Sequence, residues 1–173
     1  MDTDFSLSRN SLALIALANE YCHTIEHASE SVRDTFISSL LKILPRIYIA
    51  TTDINMKTEE DSDIDLISPS LDEASYNIIK DTLATLFADE DVYLEVFEED
   101  MKFSDSPIAN SISENLADIY QQLFDFVAAI EDVTPIIANH VVSSLKDTFS
   151  FFWGQSLLNV LRALHNIKFN HTI

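Results

Sequence analysis

The side chains best able to do chemistry gather in the second half of the chain. Glu95, Glu98, Glu99 and Asp100 crowd one short stretch. Asp118 and Tyr120 stand further on, and Trp153, Gln155, Arg162 and His165 stand near the end. Brought together, they would form a polar pocket with an aromatic wall. The carboxylates and the imidazole could move protons, and the guanidinium could hold an anion. The same residues have a plainer assignment, which their types favour. Trp153 and Tyr120 would be core aromatics, and Arg162 would pair with a carboxylate to anchor the stretch around residue 95. There is no glycine-rich phosphate loop, nucleophile elbow or zinc-protease motif, so no catalytic residue is assigned.

Two metal patterns are present and both are weak. His23 and His27 lie four residues apart, with Glu20 and Glu30 on the same helical face. That spacing suits a divalent transition metal, but the face is opposite the apolar stripe and reads as solvated. Asp61, Asp63, Asp65 and Asp72 fall at positions one, three, five and twelve of a calcium loop. Leu66 stands where such a loop needs glycine, Pro69 interrupts it, and the closing bidentate Glu is missing. The expectation is no metal and no cofactor.

These residues sit in a chain of 173 residues with a net charge of −19. The charge is uneven: residues 53–105 carry 17 acids against 3 bases. So acidic a chain is not expected to bind nucleic acid or anionic lipid. Apolar residues make up 47%, which argues for a folded core. The single Cys22 excludes an internal disulfide and a cysteine zinc cluster. No apolar run reaches the ~18 residues of a membrane span. "LALIALA" (residues 12–18) has the look of a short leader core, but Asp2 and Asp4 replace the positive leader and the helical stripe continues beyond it. An intact first helix and a cytoplasmic setting are expected.

One glycine and four prolines leave little turn chemistry for strands, so helices must position these groups. The first helix runs from about Ser8 to Ser29 with Leu14, Ala18, Tyr21, Ile25 and Ala28 as its core stripe. A second, from Ser31 to about Thr51, carries Phe36, Leu40, Ile43, Leu44 and Ile47 and is kinked at Pro45. Residues 53–69 read as an acidic flexible linker. A third helix opens at Ser70 and carries Ile78, Ile79, Leu83, Leu86 and Phe87. "DVYLEVF" (residues 91–97) alternates and is rich in β-formers, so it reads as an extended segment with no second strand in view. Ser111 and Glu114 box the start of a fourth helix bearing Leu116, Ile119, Tyr120, Leu123, Val127 and Ile130. Thr134 and Pro135 open a fifth that runs to about Lys168, ~33 residues and ~50 Å. Its second half is apolar nearly all round, and its one glycine, Gly154, reads as a point where a neighbouring element comes close. The alternative is a kink or a break there.

Five stretches carry a resemblance: "ANEYC" (18–22), "LLKILPRIY" (40–48), "DVYLEVFEEDM" (91–101), "ENLADIYQQLFDF" (114–126) and "FWGQSLLNVLRALH" (152–165). Together they resemble a bacterial family of uncharacterised helical proteins, domain-of-unknown-function family 5063. The resemblance spans nearly the whole chain except the acidic linker, and it implies a compact helical domain with no assigned activity. The family pattern often has His after WGQ; Ser156 stands there, which argues against chemistry through that position.

The expected fold is an all-α bundle of about five helices, one domain over residues 1–173, with a short extended segment at 91–97. The leading function is a protein–protein interaction or adaptor module, more plausibly not an enzyme, with a possible homodimer. The alternative is a small-molecule or metal-dependent enzyme using the 95–100 carboxylates and His165. An acidic nucleic-acid mimic is third.

Overall fold

A computed structural model describes residues 6–55, 67–95, 103 and 106–170. In it α1 (Arg9–Glu26), α2 (Arg33–Thr52), α3 (Glu73–Phe87), α4 (Ile112–Ile130), α5 (Pro135–Thr148) and α6 (Gly154–Phe169) surround one apolar core. A two-stranded antiparallel ribbon, β1 (Val92–Leu94) and β2 (Ala109–Ser111), precedes α4. Short 3₁₀ turns at Ala28–Glu30 and Ala88–Glu90 follow α1 and α3. A single π-helical turn, Phe149–Trp153, joins α5 directly to α6, so the all-α bundle has five helical rods among the described residues.

The helices start where capping chemistry allows. Ser8, Ser111 and Thr134 each accept a backbone N–H of the first turn, from Ser11, Glu114 and Ile137. Ser70 does not cap α3. Asp72 does, accepting from Ser75 N–H at 2.9 Å. The Ser70 and Leu71 N–H groups are drawn instead to the buried Asp125 carboxylate on α4, at 2.8 and 2.9 Å. The second helix begins at Arg33 rather than Ser31 and continues through Pro45 to Thr52.

The apolar stripes pack as their period dictates. Leu14, Ala18, Tyr21, Ile25 and Ala28 of the first stripe are all buried, as are Phe36, Leu40, Ile43, Leu44 and Ile47 of the second. Tyr21, fully enclosed, donates its hydroxyl to Leu116 C=O at 2.9 Å and ties α1 to α4. Ile78 departs from its stripe and is 66% exposed, leaving Leu83 and Phe87 as the buried anchors of α3.

Further sequence expectations need correction. The extended segment does have a partner: β2 is only "ANS", whose residues carry no strand signal, and the ribbon is tied to α4 by hydrogen bonds of Asp91 to Ser113. Residues 96 and 97 lie outside the described residues, as do 56–66, most of the supposed linker. Another correction concerns the last helix. Its inward face buries Trp153, Leu157, Val160, Ala163 and Leu164, while Leu158 and Phe169 are exposed among polar side chains on its outer side. Phe152, expected inside, is 43% exposed, and Gln155, Arg162 and His165 face solvent.

The glycine is explained by the π turn and not by a neighbouring element. Gly154 N–H bonds to Phe149 C=O, five residues back. A Cβ on Gly154 would lie 2.5 Å from that carbonyl oxygen and 3.0–3.1 Å from the Phe149 ring. In an ordinary exposed helix, Gly→Ala gains about 1 kcal/mol. Here Gly154→Ala is expected to destabilise by about 1–3 kcal/mol, the usual range for overpacking. Urea unfolding of the variant checks this, and a gain in stability would refute the account.

Candidate functional site

A cleft opens between β1 and α6. It encloses about 560 Å³ and is lined on one side by Tyr93, Leu94 and Glu95, on the other by Gln155, Leu158, Asn159, Arg162, Ala163 and Asn166. The helical residues recur at three- and four-residue steps, so they form one face of α6. A second hollow of about 410 Å³ shares Tyr93, Ala163 and Asn166 and continues past Val92 toward Asn170.

Each wall is held by different physics. Behind the α6 wall, Trp153 is fully buried and its indole N–H donates to Leu145 C=O and Thr148 Oγ1. Phe149 stacks edge-on against it. The β1 wall is held by polar groups. Asp91 accepts Ser113 N–H at 2.7 Å, and the Ser111 and Ser113 hydroxyls at 2.8 and 2.7 Å. Its carboxylate thus sits over the N-terminal turn of α4, where the helix dipole favours it. Glu95, buried on the inner face of β1, accepts from Asn110 Nδ2 at 3.2 Å and from the Tyr93 hydroxyl at 3.3 Å. Asn115 on α4 in turn donates to the Tyr93 oxygen.

The sequence-derived pocket is only partly assembled. Glu95, Gln155 and Arg162 meet in the cleft. Asp118 is at the α3–α4 contact, where it accepts the Tyr76 hydroxyl at 2.7 Å. Tyr120 donates to Glu26 on α1 at 2.9 Å, and Trp153 is core. His165 is exposed, its ring against Phe169 at 4.9 Å between centroids. Glu98, Glu99 and Asp100 lie outside the described residues. Tyr93, Leu94, Leu158, Asn159 and Asn166 went unnoticed in the sequence, although Gln155, Asn159, Arg162 and Asn166 are a readable helical stripe of amides and one cation.

Arg162 does not anchor the strand. It has no hydrogen-bond or ion-pair partner among the described residues, where the ion pairs are Arg33–Glu90 and Lys168–Asp34, the latter at 2.6 Å. On either side of it the amides pair with one another, Gln155 to Asn159 at 3.2 Å and Asn170 to Asn166 at 3.0 Å. The cleft therefore offers one unengaged guanidinium among amides, flanked by Leu94 and Leu158, which are 60% and 43% exposed. Such a site can hold a carboxylate with an apolar group beside it.

His23 and His27 are exposed and in ring contact at 4.1 Å, with His27 Nδ1 on the His23 carbonyl. No cluster of three or more His, Cys, Asp or Glu side chains suited to a metal occurs among the described residues. No described helix is long and apolar enough to cross a membrane.

Burial, with the nearby Glu26 charge, pushes the Cys22 thiol up to about 12. Alkylation by iodoacetamide at pH 8 is expected to be slower than in the unfolded chain by more than about 10³-fold, because thiolate is the reacting form. Labelling followed by mass spectrometry reads this out.

Burial also raises the Asp118 carboxyl above its ordinary value, with help from Glu114, while the Tyr76 hydrogen bond and Lys80 oppose the rise. The folded chain then holds this proton more tightly than the unfolded one. Its contribution to stability is full at low pH and is lost as pH climbs from the ordinary carboxylate range through the raised value. Asp118→Asn keeps an acceptor for Tyr76 and removes the charge. It is expected to be more stable than the parent at neutral pH, with the difference fading in acid, as thermal unfolding across pH 3–7 would show.

The fold and cleft together define a class: a helical scaffold with a surface cleft between a short ribbon and its last helix, whose candidate acid–base groups are dispersed over several contacts. The chain belongs to the family described as Domain of unknown function (DUF5063), which it matches over residues 5–170. It is also similar to the crystal structure of protein BF1032 from Bacteroides fragilis, at 30% identity and a TM-score of 0.79, with 94% of each chain covered. No curated protein matches it.

Proposed function

We propose that this chain is a cytoplasmic, non-catalytic adaptor that binds another protein through the β1–α6 cleft. The observation that carries the reading is the cleft itself: about 560 Å³, continued by a second hollow along one helix, with Leu94 and Leu158 exposed on facing walls. Exposed apolar side chains on opposite rims of a polar-lined groove are what a partner segment covers. The groups a proton-transfer enzyme would need point the same way. Asp118 is engaged by Tyr76, Glu95 by Asn110 and Tyr93, and His165 rests on Phe169. The lone cysteine, a buried free thiol, suits a reducing compartment.

A photo-crosslinking residue at position 158, expressed in the native host, is expected to give discrete protein adducts. The same residue at position 78, exposed on α3 and outside both hollows, is expected to give none of them. Identical adducts from both positions, or none from position 158, would refute an interaction surface at the cleft.

A further inference from the structure

The occupant's chemistry can be read from the cleft, given that the cleft is the binding surface. Three features carry it: a strand edge, an amide wall and a lone cation.

The edge follows from the register. Val92, Tyr93 and Leu94 face Ser111, Asn110 and Ala109. Glu95 N–H bonds to Ile108 C=O, and Ile112 N–H to Asp91 C=O, each at 2.8 Å. Hydrogen-bonded and non-bonded pairs alternate along an antiparallel ladder, so residues 91, 93 and 95 turn their backbone groups toward β2. Val92 and Leu94 turn theirs away, and these make no hydrogen bond among the described residues. Leu94 lines the larger hollow, Val92 the smaller and Tyr93 both, so this edge borders the whole groove. A bare strand edge pairs with an extended chain. At three residues it supplies only ~2–4 backbone hydrogen bonds, so the partner needs further contacts.

Those contacts lie across the groove. Gln155, Asn159 and Asn166 carry amides, each able both to donate and to accept, as a peptide unit requires. Between them stands Arg162, whose planar fork matches a carboxylate. The chain's charge narrows the choice. A net of −19 repels a segment rich in Asp or Glu at long range, whereas a neutral or basic tail pays no such penalty. A tail of that kind always carries one carboxylate, at its end.

We propose that the cleft captures the C-terminal tail of a partner protein. The tail runs extended beside the outer edge of β1. Its terminal carboxylate sits on Arg162, and an apolar side chain near its end rests between Leu94 and Leu158.

The test uses the full chain and a random library of seven-residue peptides displayed with free C-termini. Enriched sequences are remade as free acids and as C-terminal carboxamides, and binding is measured by fluorescence anisotropy. Neutral or basic tails with an apolar residue near the end should be enriched. Amidation should weaken them about 10-fold or more. Arg162→Gln should weaken the acid by a similar factor, leave the amide unchanged and leave thermal unfolding unchanged, since Arg162 is unpaired. Leu158→Asp should weaken both forms. Equal binding of acid and amide, no enrichment over the Leu158→Asp chain, or dependence on an acidic side chain in place of the terminus would each overturn the proposal. If position 158 crosslinks a partner while amidation changes nothing, the interaction surface stands and the tail-capture proposal falls.

Discussion

The cleft depends on one backbone irregularity, the π turn at Phe149–Trp153. It adds a residue to a helix that would otherwise run unbroken from Pro135 to Phe169. Each added residue turns everything after it by about 100° about the axis. With the turn, Trp153 points into the core and its N–H finds Leu145 and Thr148. Leu157, Val160 and Leu164 then follow it inward, and Gln155, Asn159, Arg162 and Asn166 face β1. Without it, either Trp153 or the α6 stripe would have to leave its place, and the guanidinium would be carried off the cleft. Only glycine admits the turn, because the Phe149 carbonyl occupies the place of a Cβ.

The opposite wall rests on a different kind of constraint. β1 has only three residues and a short partner, and such a ribbon is not stable alone. It is held by carboxylates. Asp91 satisfies a first-turn N–H of α4, and Glu95 binds Asn110 of β2 and Tyr93. Glu95 is buried and Asp91 half-buried, and each carboxylate has donors pointed at it. One wall is thus fixed by apolar packing, which is insensitive to charge, and the other by a polar network anchored on α4.

This division explains what the sequence could and could not tell. Apolar stripes at helical period located α1, α2 and α4, because burial acts on every member of a stripe at once. Thr134 with Pro135, and Ser111 with Glu114, marked helix starts, because capping is local chemistry. β2 was invisible: Ala109, Asn110 and Ser111 carry no strand preference, and their pairing partner is about a helix-length away in sequence. Ser70 looked like a cap until Asp125, 55 residues on, claimed its N–H. For the site, Glu95, Gln155 and Arg162 were legible as chemical types, but spacing cannot say which carboxylate meets which helix. Asp118, Tyr120, Trp153 and His165 have suitable groups and point elsewhere.

Arg162 shares its lack of an ion pair with Arg9, Lys42 and Arg46 among the described residues, but it alone of these lines the cleft. With 29 acidic residues against 10 basic ones, an exposed guanidinium could readily find a carboxylate, and Arg33 and Lys168 have done so. Arg162 has the amides Asn159 and Asn166 as its helical neighbours in place of acids, one turn to either side, and these accept from Gln155 and Asn170 respectively. Amides neither neutralise the cation nor repel it. The two leucines beside the groove exclude water once something covers it, and a charge pair strengthens as water leaves. If the cleft takes a tail as proposed, the long-range field of the chain would turn polyanions away while the short-range field at Arg162 would accept a single carboxylate.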